Sequence, residues 1–179
     1  MPDRIAHIAV LVVSDRAARG EYDDKGGPAA EAWLRAALAS AARITRTIVP
    51  DGRETVAATL RDLCDRQGAD LVLVTGGTGP APRDQTPEAF DDVIDKRLPG
   101  FGEAMRQASL SEVPTAILSR QDAGIRGRTL IITLPGKPSA IGTCLTAVFP
   151  AVPYCLDLIG AARIETDPAV CHAFRPGMG

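Results

Sequence analysis

The amino-acid sequence predicts a three-layer α/β/α fold with a mostly parallel sheet. Two apolar runs, 8–13 and 71–74, lack polar residues on either face, which is typical of parallel strands buried between helix layers. Segments with apolar residues at helical spacing, such as 30–42, separate these runs. Alternation of strands and helices implies a parallel sheet covered on both faces. The 179 residues, 45% of them hydrophobic, are expected to form a single domain over residues 1–179 with a tail from about residue 165.

The predicted elements follow one another along the chain. Strands are expected at 8–13, 44–49, 71–74, 115–118 and 129–134. Helices are expected at 30–42, 54–67, 88–96, 101–110, 139–148 and 154–159. Thr86 is predicted to cap the helix after the third strand, because Pro87 and Glu88 suit a first helical turn. The tail 165–179 is rich in proline and glycine, so it is expected to be frayed unless Ala173-Phe174 attaches it to the core.

Composition argues against several classes of function. The formal charge of −2 and the seven aromatic residues provide no basic surface for extended nucleic-acid binding, so a small-molecule substrate is expected. Cys64, Cys144, Cys155 and Cys171 have no Cys-x-x-Cys spacing, which argues against a zinc site or a disulfide framework and favours buried free thiols. The first apolar run, of about eight residues, is too short to span a membrane and has no signal-peptide cleavage pattern after Met1-Pro2-Asp3-Arg4. A cytoplasmic protein without membrane or nucleic-acid partners is therefore expected.

A glycine-rich loop, Thr75-Gly76-Gly77-Thr78-Gly79-Pro80, follows the third predicted strand. Its glycines allow a tight turn and close approach of a ligand, and the exposed N–H groups of such a loop can bind an oxyanion, for which phosphate is the obvious candidate. The loop is not a P-loop, since no Gly-Lys-Ser/Thr follows at the required spacing, and it does not fit Gly-x-Gly-x-x-Gly. The alternative is that the glycines only make a tight turn.

Polar residues follow each predicted strand. These segments are Ser14-Asp15-Arg16, Asp51, the glycine loop with Asp84, Ser119-Arg120, and Pro135-Gly136-Lys137-Pro138. Ligands of open parallel sheets bind beyond the carboxyl ends of the strands, so we expect the segments to converge at one edge. Asp51 and Asp84 are predicted to bind Mg²⁺, which commonly takes one or two protein carboxylates while phosphates and waters complete its shell. Arg120 and Lys137 are predicted to contact phosphate oxygens, consistent with phosphoryl or nucleotidyl transfer without a covalent nucleophile.

Each of these residues also has a structural interpretation. Asp51 follows Pro50 and suits an ordinary turn, and Asp84 suits a local cap or a pair with Arg83. A surface pair of Asp15 with its neighbour Arg16, and a solvated Lys137, are further alternatives. The functional hypothesis therefore depends on the joint placement of the residues at strand ends.

Seven segments together resemble the molybdopterin adenylyltransferases, and they span nearly the whole chain. They are Val13-Ser14-Asp15-Arg16, Tyr22-Asp23-Asp24-Lys25-Gly26-Gly27-Pro28-Ala29, Val49-Pro50-Asp51, the glycine loop with Arg83-Asp84-Gln85-Thr86-Pro87-Glu88-Ala89, Leu98-Pro99-Gly100-Phe101-Gly102-Glu103, Ala116-Ile117-Leu118-Ser119-Arg120 and Leu134-Pro135-Gly136-Lys137-Pro138. The glycine loop alone is typical of the wider molybdopterin-binding superfamily. The segment Asp24-Lys25-Gly26 is similar to the Mog branch, although this chain is shorter between its last two helices than that branch.

The resemblance implies a molybdopterin-binding fold and Mg²⁺-dependent transfer of AMP from ATP to the terminal phosphate of molybdopterin. It implies that Asp51 and Asp84 are the catalytic carboxylates, and that the loop Thr75 to Gly79 with Ser119 holds the pterin and its phosphate. Ser14, Asp15 and the segment Pro135 to Pro138 are expected around the nucleotide or the pterin. A homotrimer and transfer of the product to a molybdenum insertase are also implied.

Two other functions compete with this one at the level of sequence. The first is a non-catalytic module that binds molybdopterin and delivers it to another assembly protein. The second is a related enzyme that acts on another nucleotide, such as a pyrophosphatase-type domain.

Overall fold

A computed structural model describes residues 4–177. The predictions that include Met1, Pro2, Asp3, Met178 and Gly179 fall in part outside the described residues. Six strands in this part of the chain form one sheet in the order β2-β1-β3-β6-β5-β4. The strands are β1 (Ala6–Val13), β2 (Ala42–Val49), β3 (Leu71–Thr75), β4 (Lys96–Arg97), β5 (Ala123–Arg126) and β6 (Thr129–Leu134).

Helices connect most of the strands. They are α1 (Asp15–Ala18), α2 (Gly26–Ala37), α3 (Arg53–Arg61), α4 (Thr86–Asp91), α5 (Pro99–Leu110), α6 (Pro138–Val148) and α7 (Val152–Leu158). A π-helical turn over Asp62–Arg66 extends α3, and 3₁₀ helices lie at Pro114–Leu118 and Phe149–Ala151. Strands β2, β1, β3 and β6 are parallel, whereas β5 and β4 add antiparallel pairs at one side of the sheet.

Alternate residues of β1 divide the core into two layers. Ile8, Val10 and Val12 face the layer of α2, α5, α6 and α7, and Ala9 and Leu11 face the layer of α3 and α4. Because both faces of β1 are covered, all of its residues are buried, which explains the uninterrupted apolar run in the sequence. The predicted α/β/α fold with a mostly parallel sheet is confirmed.

The predicted strand at 115–118 is wrong. This segment lies in the 3₁₀ helix Pro114–Leu118, and Ile117 and Leu118 are exposed on the surface. Proline starts the turn, and a run of four apolar residues is too short for its pattern to separate a strand from a helical turn. The strand in this part of the chain is instead β5, which begins after Ser119-Arg120 rather than before it. Ser119 and Arg120 therefore do not follow the carboxyl end of a strand.

Other boundaries differ from the prediction in smaller ways. The helix expected at 88–96 ends at Asp91, and Lys96–Arg97 forms the exposed strand β4, which the sequence analysis missed. The helix expected at 30–42 is α2, which starts four residues earlier at Gly26 and ends at Ala37. Polar, exposed β4 carries no apolar signal, so only its pairing with β5 identifies it.

The described part of the tail is attached rather than frayed. The guanidinium of Arg175 is largely buried and pairs with Asp157 and Glu165, while it also donates to the carbonyl of Ile164. The side chain of Phe174 is 68% exposed, and only its backbone N–H is bonded, to the carbonyl of Pro150. The ion pairs of Arg175 thus attach the tail, the role that the sequence analysis gave to Ala173-Phe174.

One continuous helical stretch, Pro138–Leu158, has the length and apolar character of a membrane span, with 21 residues and a mean hydropathy of 1.5. Its inward face, which includes Ile141 and Leu145, is part of the core against the sheet. Core packing therefore accounts for the apolar residues on that inward face. The four cysteines are free thiols; Cys64, Cys144 and Cys171 are buried, and burial raises the pKa of the Cys64 thiol to about 11.

Candidate active site at the carboxyl edge of the sheet

The parallel strands place most of the predicted site segments at one edge of the sheet. Ser14 follows β1, Asp51 follows β2 by two residues, the glycine loop follows β3, and Pro135 follows β6. Because these four strands are parallel neighbours, their carboxyl ends lie side by side. The segment Ser119-Arg120 reaches the same edge by bonding to the glycine loop, with the Arg120 N–H donating to the carbonyl of Thr78 at 2.8 Å.

The glycine loop needs glycine at positions 76 and 77. Gly76 and Gly77 have φ values of +98° and +67°, a region that other residues rarely adopt. A Cβ at Gly76 would lie 2.3 Å from the carbonyl oxygen of Val13, so the loop passes directly over the end of β1. A Cβ at Gly77 would lie 2.3 Å from Oγ1 of Thr86. These glycines therefore serve close backbone packing at the site.

Hydrogen bonds hold the carbonyl groups of the loop on one side. The hydroxyl of Thr86 donates to Gly76 O at 2.8 Å, the N–H of Thr86 donates to Gly77 O at 3.1 Å, and the N–H of Arg120 donates to Thr78 O. In a planar trans peptide the N–H points away from the preceding C=O, so the next three N–H groups point to the opposite side. Within residues 4–177, the N–H groups of Gly77, Thr78 and Gly79 have no acceptor. The arrangement suits an anion such as phosphate.

Thr86 itself has a different role from the one predicted. It is the first residue of α4, and its side chain makes no capping bond to that helix. Its hydroxyl bonds to the glycine loop ten residues earlier instead. The predicted N-cap at Thr86 is therefore wrong, because Thr86 is already the first helical residue and the N-cap position is Gln85.

Asp51 and Asp84 line one small cavity of about 120 Å³ with Ser14, Asp15, Arg16, Gly77 and Arg83. Asp51 and Asp15 bond reciprocally: Asp15 N–H donates to Asp51 Oδ2 at 2.9 Å, and Asp51 N–H donates to Asp15 Oδ1 at 3.0 Å. Asp84 Oδ2 accepts from the N–H of Ala81 at 3.1 Å. The other oxygen of each acid has no hydrogen-bond partner, and neither acid pairs with a lysine or arginine, in the part of the chain that the structure describes. Each carboxylate is thus oriented by the backbone and still has a free oxygen.

This pair fits a Mg²⁺ ion that shares its shell with phosphate and water. Among residues 4–177, no group of three or more His, Cys, Asp or Glu side chains is placed to hold a metal without other ligands. Two half-buried carboxylates with free oxygens beside an anion-binding loop match the usual magnesium arrangement, in which substrate phosphates supply further ligands. The metal assignment of Asp51 and Asp84 stays a prediction.

A second cavity, of about 190 Å³, lies on the other side of Ser14. It is lined by Arg16, Tyr22, Asp24, Lys25, Gly26, Thr75, Gly76 and Gly136, among others. The guanidinium of Arg16 lies 4.9 Å from the centre of the Tyr22 ring, and Ser14 Oγ accepts from Ala17 N–H at 3.2 Å, which caps α1. The sequence analysis gave no individual role to Tyr22 or Asp24, and it named Arg16 only within a strand-end segment or as a surface pair with Asp15. Their position in the polar loop after β1, at the same edge as the acids, is the signal that identifies them.

A third cavity, of about 380 Å³, opens beside Ser119. It is lined by residues of α5 and of the 3₁₀ helix 114–118, and by Gln121, Pro135 and Lys137. The Ser119 and Thr78 hydroxyls lie 3.3 Å apart, which connects this cavity to the glycine loop. Lys137 is the exposed residue before α6, and Pro138 is the first residue of that helix. The cavity is large enough for a heterocyclic ring system attached to a phosphate at the loop.

A comparison with known proteins identifies a matching family and relatives of this chain. Residues 9–154 match the family model described as a probable molybdopterin binding domain. The chain is 52% identical over 170 residues to a molybdopterin adenylyltransferase of Helicobacter pylori, covering 95% of this chain and 97% of that protein.

Two solved structures are similar to this chain as well. The molybdopterin biosynthesis enzyme MoaB of Thermus thermophilus has a TM-score of 0.79 and 41% identity, covering 87% of this chain and 96% of that one. The molybdopterin biosynthesis Mog protein of Mycobacterium ulcerans has a TM-score of 0.80 and 35% identity, covering 88% of this chain and 98% of that one.

Proposed function

Because this chain belongs to the family of probable molybdopterin binding domains, we propose that it transfers AMP from ATP to the terminal phosphate of molybdopterin. The products are adenylylated molybdopterin and pyrophosphate. The chain is an adenylyl-transferring enzyme of molybdenum cofactor biosynthesis, the activity named for its relative from Helicobacter pylori. The use of ATP as donor and of Mg²⁺ as cofactor are parts of the proposal.

The acid pair is proposed to organise the phosphates. A bound Mg²⁺ would supply positive charge between ATP and the acceptor phosphate. Asp51 and Asp84 would hold the ion with their free oxygens, while Asp15 and Ala81 keep those carboxylates in place through backbone N–H groups. Transfer then consists of attack by an oxygen of the molybdopterin phosphate on the α-phosphorus of ATP, with pyrophosphate as the leaving group.

The glycine loop is proposed to bind a phosphate group through the N–H groups of Gly77, Thr78 and Gly79. Thr75, Gly76 and Ser119 would surround the pterin and its phosphate, with the 380 Å³ cavity beside Ser119 accepting the ring system. Ser14, Asp15, Gly136 and Lys137 would lie around the nucleotide or the pterin, and Lys137 would add a mobile positive charge. These roles are the ones that the resemblance implies, and the position of the residues at the edge of the sheet supports them.

The wider biology is also proposed rather than observed. We propose a homotrimer, delivery of the product to a molybdenum insertase, and a cytoplasmic location, as the resemblance implies. Size-exclusion chromatography with light scattering would test the trimer directly.

One observation carries the proposal: a loop with three free N–H groups and a pair of acids with free oxygens meet at one edge of the sheet. The loop N–H groups can bind phosphate, and the free oxygens of the acids can bind the ion that balances the phosphate charge. A pterin-binding module without catalysis would need neither acid.

The experiment is to incubate the purified protein with ATP, Mg²⁺ and molybdopterin, and to follow adenylylated molybdopterin by mass-resolved chromatography. Product should require all three reagents, and Asp51→Asn and Asp84→Asn should each reduce turnover by at least about 100-fold while staying folded. Asp62→Asn is the matched control, because Asp62 is an aspartate outside the site whose side chain bonds to Arg66 and Gln67.

Two results would contradict the proposal. Bound but unmodified molybdopterin, with both acid variants fully active in complementation, would indicate the delivery module. Pyrophosphate release from ATP without molybdopterin would indicate an enzyme that acts on another nucleotide.

A further inference from the structure

Arg120 makes an unusual set of hydrogen bonds to the loop between β3 and α4. Its Nε donates to Gly79 O at 3.1 Å, and its Nη2 donates to Gly79 O at 3.0 Å and to Asp84 O at 2.7 Å. Its backbone N–H donates to Thr78 O at 2.8 Å. A single residue thus binds three carbonyl groups of the segment that contains both the free N–H groups and Asp84.

The remaining side of the guanidinium faces Glu88. Nη1 of Arg120 donates to the Glu88 carboxylate in the first turns of α4, and this bond lowers the pKa of Glu88. The pair is about 40% exposed on each side, so it adds little stability by itself. Its effect is to fix the plane of the guanidinium, because the donors of arginine have a rigid planar arrangement. The guanidinium is therefore occupied on two edges by protein acceptors.

The backbone N–H and the guanidinium of Arg120 hold different parts of the loop: the backbone N–H bonds to Thr78 O, and the guanidinium bonds to Gly79 O and Asp84 O. Thr78 O and Gly79 N–H belong to one planar peptide and point in opposite directions, so the bond to Thr78 O directs Gly79 N–H away from Arg120. Gly79 O belongs to the next peptide, in which Pro80 has no N–H, and that carbonyl accepts from the guanidinium. The bond to Asp84 O fixes the backbone of the residue whose carboxylate enters the acid cavity.

We propose that Arg120 is a positioning residue: its guanidinium holds Gly79 O and Asp84 O, so that the end of the glycine loop and the Asp84 carboxylate face the reacting phosphates. This inference rests on the proposed function for its catalytic consequence. It replaces direct phosphate binding, the role that the sequence suggested for Arg120, because the guanidinium already has protein acceptors. Direct binding becomes the competing outcome of the test.

Arg120→Ala and Arg53→Ala form a matched pair for the experiment. Both arginines line the same cavity of about 430 Å³, but the guanidinium of Arg53 donates to Asp92, directly after α4, and not to the loop. Arg120→Ala should lower kcat by about 10- to 100-fold, because small misplacement of reacting groups has effects of that size, with the KM of ATP and of molybdopterin changed less than about 3-fold. Arg53→Ala should leave both constants near those of the wild type.

A second readout does not depend on activity. In the substrate-free protein, the ¹⁵N order parameters of Gly79 and Gln85, whose backbone adjoins the carbonyl groups that the guanidinium holds, should fall from about 0.85 toward about 0.6 in Arg120→Ala and stay unchanged in Arg53→Ala. If Arg120→Ala does not fold, Arg120→Lys takes its place. One ammonium group cannot bridge Gly79 O, Asp84 O and Glu88 in a fixed plane, so the lysine variant should show the same changes at smaller size.

Two outcomes would overturn the inference. A rise in KM with kcat retained would assign Arg120 to substrate binding, and unchanged order parameters would show that the loop is held without it. If the wild-type protein makes no adenylylated molybdopterin, the proposed function fails, and the order parameters still decide whether Arg120 holds the loop.

Discussion

The two ends of the central strands both carry aspartates, but with opposite environments. At the amino end, Asp70 precedes β3, is 1% exposed, and accepts from the backbone N–H groups of His7 and Ala162, both at 2.9 Å, and from Arg4. At the carboxyl end, Asp51 and Asp84 are half-buried, and each has one oxygen without a partner in the described chain. A fully satisfied carboxylate stabilises the fold, whereas a partly satisfied one is available to a ligand. The comparison shows that aspartates at the two ends differ in how many of their carboxylate oxygens have hydrogen-bond partners, although the residue type is the same.

The largest expected loss of stability is at the amino end. Asp70→Ala should reduce the free energy of unfolding by about 3–5 kcal/mol, because two buried N–H groups and Arg4 lose their acceptor together. Urea unfolding followed by the fluorescence of Trp33, the single tryptophan, measures this change. Specific activity per folded molecule should stay near that of the wild type. A loss below about 1 kcal/mol would remove Asp70 from the structural side of the comparison.

Gly76→Ala should cause the next largest loss of stability. It disturbs the backbone of the glycine loop at the carboxyl end and changes no charge. Alanine would have to adopt φ near +98°, and its Cβ would lie 2.3 Å from Val13 O. The free energy of unfolding is therefore expected to fall by about 2–3 kcal/mol. The same urea titration applies, with Gly142→Ala as control, because a Cβ at Gly142 meets no atom within 4 Å. Equal stability of the two variants would show that the loop can move away from β1 at little cost.

The amino end should also differ from the carboxyl end in how His7 makes the free energy of unfolding depend on pH. Burial, with help from the positive charge of Arg43, lowers the pKa of His7 below its usual 6.5. The folded protein therefore binds fewer protons at His7 than the unfolded chain does. This contribution to stability is complete above the unfolded pKa and is lost as the pH falls from about 6.5 toward the lower folded pKa. His7→Gln should flatten the fall in unfolding free energy between about pH 7 and about pH 5.5, and an unchanged slope would exclude His7 as its source.

The smallest stability effect should come from the residues with the largest expected effect on turnover. Asp51→Asn and Asp84→Asn keep an acceptor oxygen for the N–H groups of Asp15 and Ala81, so the free energy of unfolding should change by less than about 1 kcal/mol. Chemical denaturation of both variants beside Asp70→Ala gives the direct comparison. Destabilisation equal to that of Asp70→Ala would make these acids structural, and loss of activity would then say nothing about catalysis.

Much of the site could be predicted from sequence because the parallel sheet orders it. The four parallel strands have carboxyl ends that the sequence predicts, and Asp51, the glycine loop and the segment 135–138 come just after three of those ends. The route of Ser119-Arg120 to the site could not be predicted in the same way, since these residues precede β5 and approach the loop from a turn. Their placement depends on contacts with residues some 36–41 positions away in the chain.

The sequence by itself determined the buried parallel strands, the loop that only glycine can form, and the acids at the strand ends. Burial on both faces requires uninterrupted apolar runs, and backbone crowding requires glycine, so both are visible as local patterns. The tertiary structure alone decided the antiparallel strands β4 and β5, the 3₁₀ helix at 114–118, and the acceptors of Arg120. A short or exposed segment gains its conformation from partners distant in the chain, and a carboxylate or guanidinium gains its role from which of its oxygens or N–H groups those partners leave free.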